Sequence, residues 1–220
     1  PDYYTLTNAA SAPIVSNIVS RKEIIGLYGT ASLGYKNFLY LDLTARNDWS
    51  STLPINNHSY FYPSVSTSFI FTELMKKSKI LSFGKIRTGL AFTGNDTDPY
   101  NLYTNFVKSE IGSSPSITSN PFNGLTYYSF DNALKNANIK PESTRSFEFG
   151  TDLRFFENRI SLDVTYYNTL TKDIIVPVSV PASTGFSTKV VNAGKIRNQG
   201  IEVMLNAAVI KKEKGLKWDV

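Results

Sequence analysis

The chain carries one histidine, His58, so any Ser/His/Asp hydrolytic arrangement would have to use it. No nucleophile-elbow glycine pattern accompanies it, and His58 sits in a polar stretch where a solvated loop histidine is the simpler reading. Asp96 and Asp98, in Gly94-Asn95-Asp96-Thr97-Asp98, could offer hard oxygen ligands to calcium. Without further carboxylates at regular spacing, a turn built on Asn and Asp accounts for them as well. There is no cysteine, which removes disulfides and thiolate metal sites. The two glycosylation-like triplets, Asn57-His58-Ser59 and Asn95-Asp96-Thr97, are too short to carry weight. No enzyme activity, metal or cofactor is expected from these residues.

Binding chemistry is better represented. Trp49, beside Asp48, offers an aromatic face on which a sugar could stack, though a packing residue at a rim would look the same. Glu148, Asp152 and Arg154, with Arg87 earlier in the chain, recur at even spacings within strand-like patterns. They could line a solute path, or they could simply neutralise one another. Tyr127 and Tyr128 fall among Asn, Ser and Gly, a composition suited to recognition surfaces.

These residues need strands to hold them. From Asn37 to Asn47 the chain alternates, with Leu39, Leu41, Leu43 and Ala45 against Tyr40, Asp42, Thr44 and Arg46. Side chains change face at every residue of a strand, so this makes a sheet with one apolar and one polar face. Similar alternation is expected from Ile25, from about 60 to Phe71, and over about 80–93 and 144–156. It returns from Ile160 and again around 200–209, and an eighth strand begins near Lys217. Tyr and Phe residues near the strand ends, among them Tyr28, Tyr35, Phe61 and Tyr166, suit an interfacial girdle.

Composition narrows the class. Aromatics make up 13% of the 220 residues and hydrophobic residues 41%, which favours strands and excludes disorder. No apolar run approaches the ~20 residues of a membrane helix. The net charge of +5 is scattered apart from two short lysine clusters, Lys76-Lys77-Lys79 and Lys211-Lys212-Lys214, so nucleic-acid binding is not expected. Residues 1–20 read as loop. With no signal peptide before Pro1 and a strand still open at Val220, the chain reads as a piece of something longer.

The connections alternate between short and long. Asp48–Ser59, Gly94–Ser143 and Pro177–Asn192 are the long ones, and 94–143 is expected to be an extracellular loop. A membrane barrel keeps this order, with short turns inside and long loops outside. Asp42, Arg46, Lys85, Arg87, Glu148, Asp152, Arg154, Asp163 and Glu202 all fall opposite the apolar rows, which suits a watery lumen. A soluble two-sheet protein, such as a carbohydrate-binding domain, remains the alternative on pattern alone.

Sequence blocks then add to the pattern. YKNFLYLDLTARNDWSSTL with YFYPSVSTSFIF, and KIRTGLAFTGN at Lys85–Asn95, resemble the barrel of the SusC/RagA family of TonB-dependent outer-membrane transporters. So do FEFGTDLRFFENRISLDVTYYNTLTKDII at Phe147–Ile175 and NAGKIRNQGIEVML at Asn192–Leu205. The resemblance implies an all-β fold, with residues 1–220 forming seven or eight strands of a 22-stranded antiparallel up-and-down barrel. It implies location in the outer membrane of a Gram-negative bacterium and import of a glycan or peptide. TonB, acting through an N-terminal plug, and a SusD-like surface lipoprotein are the partners it implies. A passive porin is the alternative within the membrane class.

Overall fold

The computed structural model describes residues 19–76, 78–108, 125–211 and 217–219. Its strands in chain order are β1 (Ile24–Tyr35), β2 (Leu39–Ser50), β3 (Ser59–Phe69), β4 (Leu81–Asn95), β5 (Phe106–Lys108), β6 (Tyr128–Phe130) and β7 (Ala133–Leu134). They continue as β8 (Glu142–Phe155), β9 (Ile160–Lys172), β10 (Ile175–Ser179), β11 (Thr188–Asn192), β12 (Lys195–Lys211) and β13 (Lys217–Asp219). Eight of these form one sheet in the order β1-β2-β3-β4-β8-β9-β12-β13. Every neighbouring pair in it is antiparallel. This is the up-and-down meander of a barrel wall, left open at β1 and β13. No helix among the described residues is long and apolar enough to cross a membrane.

The alternation read from the sequence survives as register. On one face Ala31 pairs with Leu43, Leu43 with Val65, Val65 with Leu90 and Leu90 with Phe147. Leu153, Leu162 and Leu205 form another continuous row, as do Thr151, Val164 and Val203. Side chains here lie open: Leu27 is 70% exposed and Ile201 68%. A soluble sheet would cover such a face, because exposed apolar area of this extent is unfavourable in water. From Phe147 to Phe155 on β8 the row contains no charge. At ~3.3 Å per residue and ~40° tilt it covers roughly 20 Å of height, close to the ~25 Å apolar band of a membrane barrel.

The short connections lie at one end of the sheet. β1 and β2 are joined through Lys36, Asn37 and Phe38, with Lys36 and Asn37 at positive φ (47° and 59°) and the Phe38 N–H donating back to the Tyr35 carbonyl to close the turn. β8 and β9 turn through Phe156, Glu157 and Asn158, also at positive φ. After β3 the chain makes a short 3-10 turn, Phe71–Leu74. Phe71 therefore leaves the strand expected to reach it, but its ring fills the space over Gly84, where a side-chain carbon would collide with it.

The long connections meet at the other end and are more ordered than their composition suggests. β2 reaches Ser50, so Asp48 and Trp49 are strand residues and not loop residues. β4 runs to Asn95 and β8 starts at Glu142, trimming the expected 94–143 loop at both ends. β5 pairs with β6, and β11 takes β10 on one side and β7 on the other. β12 begins at Lys195, five residues ahead of the expected start. Mutual pairing is the reason: polar residues join a ladder when a neighbouring strand needs its backbone groups satisfied.

These connections share a small core of Leu53, Ile139 and Val190, one residue from each, with Tyr60, Leu102 and Ile175 packed around it. Ile139 is fully buried, at 0% exposure. Beneath this cap the wall forks. The β3–β4 ladder stops at Ser64 opposite Ala91, although β3 extends to Ser59 and β4 to Asn95. Pro63, which has no N–H to donate, sits at the branch.

Candidate functional site

The polar face carries the charges, and most of them are tied in pairs. Arg87 on β4 reaches Asp163 on β9 by crossing the intervening strand at Gly150. Its two terminal nitrogens donate to the two carboxylate oxygens at 2.7 and 2.8 Å, and one also donates to Thr165 Oγ1 at 2.6 Å. The crossing depends on the missing side chain: a carbon at Gly150 would lie 2.8 Å from Arg87 Nε. Gly26 plays the same part opposite Arg46 and Asp48. Lower on the face Asp152 accepts from Arg154 and lies 3.8 Å from Lys85 Nζ. The Arg154 guanidinium stacks over the Phe83 ring at 4.8 Å.

Toward the loop end a second cluster forms. Arg46 Nε donates to Asp48 Oδ1 at 2.7 Å, and the Tyr62 hydroxyl donates to Oδ2 of the same carboxylate. Asp48 is only 5% exposed, and the Tyr60 ring stacks on that of Tyr62. Between the two clusters Asp42 and Glu148 have no ion-pair partner among the described residues. They line a hollow of about 230 Å³ with Ser66, Ser68 and Arg87.

Of the residues singled out from sequence, Arg87, Glu148, Asp152 and Arg154 do share this face. Trp49 does not. Its register partners are Ile25 and Ser59, which puts it on the apolar row one residue past Asp48. Tyr127 and Tyr128 lie far along the chain in the loop cap, where Tyr128 belongs to β6. His58 makes a local contact from Nδ1 to the Ile55 carbonyl, a loop role. Lys77, Lys212 and Lys214 of the two lysine clusters lie outside the described residues.

Asp96 is a fastener. Its carboxylate accepts from Lys22 Nζ (2.5 Å), Ser50 Oγ (2.5 Å) and Thr52 Oγ1 (3.0 Å). Those donors occupy the oxygens a cation would need, and no described group of three or more His, Asp or Glu side chains is arranged to hold a metal. Burial would raise the Asp96 carboxyl, but the bonds from Lys22, Ser50 and Thr52 outweigh it and hold the group below the ordinary carboxylate value of 3.8. A depressed folded value means the contribution is complete above the unfolded value and is lost as pH falls through the folded one. Acidification below about pH 4 should therefore loosen the segment 51–58 from the 96–141 connection. Protease cleavage there should rise at low pH in the parent protein and be high and pH-independent in Asp96→Asn. Identical pH profiles for the two proteins would refute the assignment.

Sequence reasoning gave no site role to Asp163, Thr165, Tyr62 or Lys22, although it set Asp163 and Thr165 on the polar face. The first three followed the polar alternation, which was the available signal; Lys22 gave none.

The loop cap adds an aromatic surface. Tyr100 and Tyr103 are exposed and, with Arg21, Thr52, Leu102 and Asn105, border a cavity of about 310 Å³. Phe106 and Phe130 stack across the β5–β6 pair at 4.5 Å.

Comparison places this geometry among known proteins. Residues 1–220 match the family described as TonB dependent receptor-like, beta-barrel. The chain is 28% identical to the TonB-dependent receptor SusC of Bacteroides thetaiotaomicron, over 91% of this chain and 20% of SusC. It is 27% identical to the TonB-dependent receptor P3 of Formosa agariphila, over 93% of this chain and 20% of that protein. The RagAB peptide transporter superposes with a TM-score of 0.75 at 23% identity, covering 87% of this chain and 20% of the RagAB chain. The chain spans about a fifth of the length of the relatives it matches.

Proposed function

The chain belongs to the TonB dependent receptor-like β-barrel family of the Gram-negative outer membrane, and from that premise we propose that it forms part of the wall of a SusC-like importer of glycans or peptides. The observation carrying this reading is the two-faced sheet: an open apolar face continuous across its strands, backed by a polar face of paired charges and hydroxyls. The apolar face meets lipid and the polar face lines the solute route. The similarity to SusC and to the RagAB peptide transporter supports glycan or peptide cargo and a SusD-like lipoprotein partner. TonB engagement would lie in the remainder of the whole protein. The loop cap, with Tyr100, Tyr103 and Tyr128 exposed, is the surface that touches cargo or lid on the outside of the cell.

Energised import and passive diffusion separate cleanly. Cells expressing the full-length protein should accumulate an oligosaccharide or peptide cargo only when TonB is present. TonB-independent uptake would favour the porin reading. Topology is checked by single cysteines: one at Ser183 should label with an impermeant maleimide on intact cells, and one at Asn158 should label only after lysis. The reverse result would invert the wall.

A further inference from the structure

We propose that Arg145, Lys172, Lys195 and Arg197 form a site on the outer wall for the phosphate groups of an anionic lipid headgroup. The inference rests on the barrel placement above and goes beyond transport. Uninterrupted alternation along β8, β9 and β12 puts all four on the same face as Phe149, Val164 and Val203. Lys195 pairs directly with Lys172, and Leu170 lies between Arg145 and Arg197 in the next row. With strands ~4.8 Å apart, the two arginine positions are separated by roughly 10 Å, a span that one phosphorylated headgroup could bridge.

The contrast with the polar face is the core of the argument. There Arg46, Lys85, Arg87 and Arg154 each have a carboxylate partner. The four outward cations have none among the described residues. Asp173, next to Lys172, is the one acid adjoining them in sequence and leaves the strand at positive φ. Their height selects the occupant. They stand where the apolar belt gives way to the loop end, with Leu170 still buried between the two arginines at 6% exposure. Long cationic side chains at that level keep their stems on apolar surface and lift their charge to the headgroups. Guanidinium groups there can bind phosphate through two parallel N–H donors.

The test uses the full-length protein in detergent, offered diphosphoryl lipid A, dephosphorylated lipid A or inorganic phosphate, with bound lipid counted by native mass spectrometry. The parent should retain the phosphorylated form selectively, and retention should fall roughly 10-fold for each pair neutralised, Arg145→Gln with Arg197→Gln or Lys172→Gln with Lys195→Gln. Either pair suffices if the fourfold variant does not assemble, and heat-modifiable migration on gels confirms a folded barrel. Equal retention by folded variants would overturn the site. So would equal retention of dephosphorylated lipid A, or displacement by inorganic phosphate at equal concentration. Binding in detergent is independent of cargo uptake, so failure here leaves the transport reading untouched.

Discussion

Arginine in place of Val164 should cost roughly 2–4 kcal/mol of barrel stability in a bilayer, the depth-dependent penalty for a cation near the membrane midplane. Val164 pairs with Thr151 and Val203 at the centre of the apolar row, with Leu162 on the turn side and Tyr166 on the loop side. A guanidinium there is far from either headgroup layer and faces away from the carboxylates of the other side. The control is Ser32→Arg. Ser32 lies on the polar face opposite Asp42, where a new cation meets water and an unpaired acid. Urea titration of the full-length protein folded into vesicles should separate the two variants by most of that difference. Equal midpoints would mean that the apolar face does not look into lipid.

Ile139→Ala should open the loop cap without unfolding the wall. Ile139 is fully buried in a core whose other buried members are Leu53 and Val190, so little else can close the space. Truncating a buried Ile to Ala costs ~2–5 kcal/mol, here charged to a local structure instead of the whole barrel. The open fraction of the cap should rise about 30-fold or more. Hydrogen exchange at residues 134–140 and 189–191 should accelerate accordingly, while the thermal midpoint of the barrel stays within a degree or two. If the proposed role of the cap is right, cargo uptake falls as well. Unchanged exchange would show that the cap is held by something other than this core.

The wall was legible in the sequence because its two faces see different solvents. Wherever a strand separates lipid from water, its residues must alternate, and the reader recovers both face and register, as at Leu39–Arg46 and Phe147–Arg154. The loop end was not legible because its strands are short and pair within a cap that is polar on most sides. β10 and β11 carry apolar residues on both faces, Val176 opposite Val191 and Pro177 opposite Val190, so no alternation betrays them. Trp49 was misplaced because polar neighbours made the end of β2 look like loop. Thr165 reads as a spare hydroxyl on the polar face, yet it accepts from Arg87 and donates to Asp163. That role becomes visible only once Gly150 is known to lie between them.

The fork between β3 and β4 has a mechanical consequence. Above Ser64 and Ala91 no backbone ladder joins the two halves of the wall, so β1–β3 and β4–β13 behave there as two stiff panels sharing a seam. What crosses the seam is the cap: Asp96 from the far panel grips Ser50, Thr52 and Lys22 of the near one, and Asn57 donates to the Ile139 carbonyl. A handful of side-chain bonds and one small apolar knot thus act as a clasp, far more compliant than a continuous ladder of amide bonds. Loosening that clasp would free the upper ends of the two panels while the ladder from Ser64–Ala91 to Phe69–Ile86 keeps them laced below.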